Sequence, residues 1–282
     1  MSKKSEVINH IELKKIIPFK DHPFQVREDE EMNMLAESIG MVGVLVPIIV
    51  RPIQEDKYEL ISGHRRKHAC EMLGYSSIPA IIRDIDRDEA IVMMVDSNYQ
   101  REEILPSERA KAYKMKLEAI KRQGARNDLT SVQVGQKLSK KTSRDLIAEN
   151  SPDSSSQIQR YLRLNELIPE LLQMVDEKRI ALTPASELSF LSKEEQKMLL
   201  EEIECIQATP SLSQAQRMKS LSKKGLLDAD MITDILLEQK KPECWNMVIP
   251  MNKITKYFPK SYTPKDMEEI IIDLLGKWAR DL

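Results

Sequence analysis

The chain has 282 residues, 41% of them hydrophobic and 31% charged, which makes room for two or three separate cores. Only 8 glycines and 5% aromatics argue against a barrel or sandwich and for a helix-rich protein. A net charge of −2 excludes an overall basic signature, and no apolar run approaches the roughly 20 residues of a membrane span.

Over the first hundred residues, short β-branched runs alternate with helical patterns. Ile11–Ile17, Pro47–Arg51, Tyr58–Ser62 and Ile78–Arg83 are the predicted strands, bounded by Pro, Asp or Gly. Between them, Glu30–Met41 places Met34, Leu35, Ser38, Ile39 and Val42 on one helical face, with Gly43 set to end the helix. A second helix is expected from His64 to Gly74 and a third over Arg87–Val95, with Asp86 as its cap. Residues 1–105 therefore read as an α+β domain. After Leu105 the strand signal fades. Pro106 suits a helix start, and Ser107–Lys121 is strongly helix-forming. Short helices follow to Lys224. Capping-box spacing occurs at Ser192–Glu195 and Ser213–Gln216, and Pro169 and Pro184 suit first-turn positions. Residues 106–224 make an all-α domain, within which the polar stretch Gln123–Ser131 is the expected flexible joint. Residues 225–282 form a small helical C-terminal domain. In its last helix, from Thr263-Pro264, Met267, Ile270, Ile271, Leu274 and Trp278 make one apolar stripe, which either docks within the chain or pairs with a second copy. The three scattered cysteines, Cys70, Cys205 and Cys244, imply no disulfide framework, and the N-terminus lacks a secretory leader's apolar stretch. A cytoplasmic protein is expected.

Charge is unevenly spread. From Lys111 to Arg163 there are 12 lysines and arginines against 5 acidic residues, inside an otherwise acidic chain. Such a block suits either a polyanion-binding module or a solvated lysine-rich face.

Two motifs carry chemistry. In Tyr58-Glu-Leu-Ile-Ser-Gly-His-Arg-Arg-Lys-His-Ala69, a strand leads into Ser62-Gly63 and a helix begins at once. The glycine admits close backbone approach, and the helix's first N–H groups face whatever sits above them. Arg65 and Arg66 at that end oppose the helix dipole, a conflict that a bound phosphate would resolve. The alternative is a solvated arginine pair. His64, His68 and Cys70 invite a metal, but no third and fourth convergent ligands are legible.

The second motif is Thr142–Asn150, a helix pattern, then the turn Asn150-Ser-Pro-Asp153, a cap at Ser154–Ser156 and a helix over Gln157–Leu164. Ile158, Tyr161 and Leu162 face a core, and Gln157, Gln159, Arg160 and Arg163 stay outside. This is a helix-turn-helix pattern, or else an ordinary helical hairpin. Glutamine and arginine on the second helix can read adenine and guanine, and Ser155 and Ser156 can meet bases or phosphate. Lys137, Lys140, Lys141 and Arg144 would meet the DNA backbone.

Gly63-His-Arg-Arg-Lys-His-Ala69 resembles the G-E-R-R-x-R-A box of the ParB partition family. Ala36–Pro52 resembles the family's preceding box, and Ser97-Asn-Tyr-Gln-Arg-Glu102 its E-N-x-Q-R-E box, in the same order and at the same spacing. The likeness covers about residues 11–190. The resemblance implies a ParB-like N-terminal nucleotide-binding domain that takes CTP with Mg2+. Gly43, Val44 and Pro47 would line the base pocket, Ser62, Gly63, His64, Arg65 and Arg66 would hold the phosphates, and Asn98 would position the metal with Gln100 and Arg101 close by. It further implies a homodimer joined at the C-terminus, a palindromic centromere-like DNA site, a CTP-dependent clamp, a ParA-type ATPase as partner, and at most weak CTP hydrolysis. The first ten residues hold Lys3 and Lys4 but not the Gly/Leu-rich pattern that contacts this ATPase. The sequence departs from the family where its Glu is His64, where the Glu before Asn98 is Ser97, and where a Gln is Val46. Losing a carboxylate weakens a hard-cation site. A transcriptional regulator on the same fold without the clamp, and an enzyme with Cys70 as nucleophile, are the alternatives.

Overall fold

The computed structural model describes residues 7–53, 56–99, 104–130, 143–149, 151–238, 254–259 and 262–278, with the side chains of 124–130 and 143–145 outside that description. Two compact units result, residues 1–238 and 239–282.

The first unit opens with a five-stranded mixed sheet. Its strands are β1 (Ile8–Glu12), β2 (Ile16–Ile17), β3 (Ile48–Ile53), β4 (Lys57–Ser62) and β5 (Ser77–Ile82), in the order β1-β5-β3-β4-β2. The predicted strand Ile11–Ile17 is in fact two. A 3-10 turn at Leu13–Lys15 breaks it, so β1 pairs antiparallel with β5 at one edge while β2 pairs parallel with β4 at the other. Leu13 is buried, and its N–H donates to Ser76 O, which ties the turn to the end of the sheet.

Helices α1 (Glu30–Val42) and α2 (His64–Met72) pack over one sheet core, made of Ile48, Val50, Leu60, Ile78 and Ala80 with Met32, Ile39 and Ala69. Asp29 caps α1 by accepting from Met32 N, which offsets one of the helix's unpaired donors. Helix α3 (Arg87–Asn98), capped by Asp86, packs with Ile61, Phe19 and Phe24 into a second cluster that also takes Ala112 and Ala119 from the next helix.

That helix, α4, runs from Pro106 to Thr130, longer than predicted, so the expected joint at Gln123 continues in helix as far as Thr130. Two ion pairs fasten it to α3: Asp96 with the buried Lys116, and Asp88 with Arg122. Helices α5 (Ser143–Glu149), α6 (Ser155–Leu164), α7 (Pro169–Asp176), α8 (Leu182–Leu188), α9 (Lys193–Ile206), α10 (Leu212–Lys223) and α11 (Ala229–Leu237) complete the unit around a core that includes Leu171, Leu188, Leu199, Ile203 and Met218. The Ser192–Glu195 capping box is formed as expected. Helix α10 starts earlier than the spacing suggested, with Ser211 and Gln214 as its box in place of Ser213 and Gln216. Helix α11 packs on α9 and α10, which puts it in the first unit.

In the second unit the described helix is α12 (Pro264–Trp278), with Met267 buried and Leu274 and Trp278 exposed. Among the described residues no helix is long and apolar enough to cross a membrane.

Candidate nucleotide cleft and DNA-facing helix

Gly63 is the hinge between β4 and α2. Its φ of 102° is left-handed, and a Cβ built there would lie 2.7 Å from Ile48 Cγ2 and 3.2 Å from Arg66 Nη2. Only glycine lets the chain turn this tightly against β3, and the turn aims the first N–H groups of α2 into a cavity of about 270 Å³. Ser62, Gly63, His64, Arg65 and Arg66 line one side of this cavity. Ser97 and Asn98, at the end of α3, line another, and Leu35, Val26 and His22 complete it.

The two arginines are held differently. Arg65 donates to Asp29 Oδ1 at 3.1 Å and to Glu31 Oε2 at 3.0 Å, so two carboxylates from the start of α1 offset its charge. Arg66 instead donates to the carbonyls of Val46 and, at 2.7 Å, of Pro47. Among the described residues no carboxylate forms an ion pair with it, and burial lowers its pKa. A half-buried guanidinium bonded only to carbonyls retains its positive charge uncompensated, which is the electrostatic state an incoming phosphate neutralises.

Gly43, Val44 and Pro47 do not line this cavity. They form the loop after α1, tied to it by Arg66 and packed on the first core through Val44. Gln100 and Arg101 lie outside the described residues. His22 has no local sequence signal. A turn at Phe19–His22, anchored by the buried Phe19 and Phe24, lays its ring over His64 with centroids 3.7 Å apart and planes tilted by 35°. His22 Nδ1 sits 2.6 Å from Phe24 O, so that nitrogen carries the proton and donates.

The donor set suits an anion better than a magnesium ion. Asn98 Nδ2 and Ser97 Oγ both donate to Met94 O, which leaves the Asn98 carbonyl oxygen and the hydroxyl oxygens as the hard ligands. Among the described residues no carboxylate lines the cavity, and no group of three or more His, Cys, Asp or Glu could hold a metal. Mg2+ needs one or two carboxylates beside the substrate's phosphates, so the protein side does not fit it. Cys70 is fully buried, and burial raises its thiol pKa, as expected of an inert core thiol.

Tyr99, next to Asn98, touches the helical region. The Tyr99 ring lies 5.7 Å from that of Tyr113 on α4, and Tyr113 lies 5.9 Å from Tyr161 on α6. The Tyr113 hydroxyl donates to the buried Asp153 at 2.6 Å, and Arg109 reaches the same carboxylate at 3.2 Å. Burial, first of all, raises the pKa of both Tyr99 and Tyr113. Ile147 of α5 and Ile158 of α6 pack on Tyr113, so the two short helices share one small core with α4.

Ser154 caps α6 through a box with Gln157. Ser156, Gln157, Gln159 and Arg160 are exposed along it, and Ser155 is half-buried. Arg163 is spent inside the fold: it donates to Ser189 Oγ at 3.1 Å and Ser189 O at 2.9 Å and stacks 3.8 Å over Phe190. Arg144 is on α5 with its side chain undescribed, and Lys137, Lys140 and Lys141 lie outside the described residues.

A glycine-hinged cleft on an α+β sheet, with a helical region that presents a polar exposed helix, defines an α+β domain followed by an all-α one. Residues 1–99 match the ParB N-terminal domain, and this part of the chain belongs to that family. It is 33% identical over 199 residues to a nucleoid occlusion protein of Geobacillus sp. (strain WCH70), covering 70% of this chain and 64% of that one. It is 35% identical over 191 residues to a nucleoid occlusion protein of Listeria innocua, covering 67% and 60%. The chain thus spans under two thirds of these relatives' length. A similar solved structure is the C-terminally truncated ParB of Caulobacter crescentus complexed to the centromeric parS site, with 20% identity, a TM-score of 0.46, and coverage of 77% of this chain and 99% of that one.

Proposed function

We propose that this chain is a DNA-binding protein of the partition and nucleoid-occlusion kind, which grips a nucleoside triphosphate in the Gly63 cleft and reads a palindromic DNA site with α6. The observation that carries this reading is Arg66, a half-buried guanidinium at the head of α2 on the wall of a cavity, with carbonyls but, among the described residues, no carboxylate to answer it. The motif resemblance selects CTP as the nucleotide. Ser62, Gly63, His64, Arg65 and Arg66 take the phosphates, and Asn98, next to Tyr99, relays their presence to α4.

Helices α5 and α6 form the helix-turn-helix, with α6 in the major groove. Ser156, Gln157, Gln159 and Arg160 face the base edges. Two copies pair through the exposed part of the α12 stripe, Leu274 and Trp278, which matches the two-fold symmetry of a palindromic site. In this reading nucleotide closes the front domains of the dimer around DNA. A regulator of the same fold without the clamp is the second reading, favoured by the lack of a carboxylate among the described residues of the cleft.

The test is calorimetry with each of the four ribonucleoside triphosphates, followed by retention on closed circular DNA carrying the site. The expected result is heat with CTP above the other three, and CTP-dependent retention that opening the circle abolishes. Binding without retention leaves the regulator, and no heat with any nucleotide removes the cleft from the account.

A further inference from the structure

We propose that the Gly63 cleft takes its triphosphate as the free anion, without a divalent metal, the positive and donor groups of its wall standing where a metal ion would otherwise screen the phosphates. The inference rests on the cleft reading above and deepens it by naming the ionic form of the ligand.

The argument is one of charge. A metal ion at a triphosphate is held jointly by phosphate oxygens and by protein oxygens, the latter preferably ionised. Here the wall presents two guanidiniums, two imidazoles, two hydroxyls and one carboxamide, and no carboxylate among the described residues. Asp29 and Glu31, the acids bonded to Arg65, lie off the cavity wall. The carboxamide is half occupied by its bond to Met94 O. His64 stands at the mouth of α2, where a carboxylate would have to reach a metal from this helix, and its ring is pinned by the stack with His22.

His22 is itself fixed by donating Nδ1–H to Phe24 O, so the pair is a rigid part of the wall. A dication placed among these groups meets the uncompensated charge of Arg66 at close range and, among the described residues, finds no charged oxygen on the cavity wall. It also cancels two negative charges on the ligand that the guanidiniums and the α2 N-terminus would otherwise meet. Both effects have the same sign: the metal weakens binding here.

The experiment titrates CTP into the full chain at constant ionic strength, once with millimolar magnesium and once with EDTA, and reads the dissociation constant by calorimetry. The expected result is a constant in EDTA no higher than in magnesium, and lower by about 3- to 10-fold, since a tenfold change needs only about 1.4 kcal/mol of lost charge attraction. A constant higher in EDTA than in magnesium overturns the inference and leaves the cleft reading standing. Heat under neither condition overturns both.

Two further measurements place the cause. A titration of Mn2+ followed by its paramagnetic resonance, with CTP present, is expected to give a free-ion signal with the protein no lower than without it, since protein that takes metal-free CTP releases the ion. A protein-dependent loss of signal counts against the inference. His64→Glu, checked for folding by circular dichroism, is expected to reverse the preference and bind CTP more tightly in magnesium. An unchanged ratio in a folded variant overturns the role given to His64.

Discussion

In the cleft nearly every polar side chain is already engaged: Arg65 on Asp29 and Glu31, Arg66 on two carbonyls, Asn98 on Met94, and His64 against His22. Along α6 the exposed side chains are looser. Gln157 is used in its own capping box, while Gln159 and Arg160 extend into solvent, and the anchoring is done underneath by Ile158, Tyr161 and Asp153. A small anion of fixed shape is best held by groups already in place, because little ordering entropy remains to be lost on binding. A DNA groove must be matched by long side chains that adjust after docking, so the precision belongs in the helix's footing. The front of the chain thus places rigidity in the site itself, and the helical region places it one layer below.

The strongest way to break this contrast is at the hinge. Gly63→Ala forces a left-handed conformation on a residue with a Cβ, at a cost of about 1–2 kcal/mol, and drives that Cβ into Ile48, at about 1–3 kcal/mol more. A loss of about 3 kcal/mol in a denaturant melt is expected, together with loss of nucleotide binding. A variant of unchanged stability that still binds CTP would mean that the cradle is not preformed.

Next in size is the footing of α6. Asp153→Ala leaves Arg109 and the Tyr113 hydroxyl without their carboxylate in a buried setting, which is expected to cost about 3 kcal/mol at most, since Arg109 is partly exposed. DNA affinity should fall with it while CTP affinity holds, measured by fluorescence anisotropy and calorimetry on the same preparation. An equal loss of both would mean that the two regions share one rigidity rather than dividing it.

Local pattern was enough to read the strand-glycine-helix motif, the α5–α6 hairpin and most helix starts, because turn glycines, capping residues and apolar periodicity act over a few residues. It could not tell the two arginines apart. Arg65 meets acids 34 and 36 residues away and Arg66 meets carbonyls 19 and 20 residues away, partners that only the packing of α1 against α2 supplies. The same holds for His22, which reaches His64 from a loop on the other side of α1, and for Arg163. On a helical wheel Arg163 looks as exposed as Arg160, but Ser189 and Phe190 at the end of α8 cover it. Asp153, read from the sequence as a turn former, is also the buried acid that Tyr113 and Arg109 converge on.

Arg160 and Arg163 sharpen the contrast between reader and footing within a single helix. Arg160→Ala is expected to weaken binding to the specific site by about 2 kcal/mol with little change in melting temperature, as for loss of one base contact. Arg163→Ala should do the reverse, lowering stability by about 1 kcal/mol through the lost Ser189 bonds and the Phe190 stack while sparing the sequence preference. Footprints of the two variants on the same operator, set beside their melts, separate the roles. Matching footprints would erase the distinction.

The smallest effect tests how firmly the existing bonds of the cleft hold its side chains. Arg65 can turn to a phosphate only by leaving Asp29 and Glu31, so those acids compete with the ligand. Glu31 is the more exposed, with 75% of its side chain accessible, and its hold on Arg65 is correspondingly weak. Glu31→Gln keeps the shape, removes the charge, and leaves the Asp29 cap on α1 intact. CTP should then bind about 2- to 5-fold more tightly, the few tenths of a kcal/mol to about 1 kcal/mol that an exposed pair is worth, with the melting temperature almost unmoved. If affinity does not change, Arg65 stays with its acids when nucleotide binds, and the phosphate grip falls to Arg66 and the head of α2 alone.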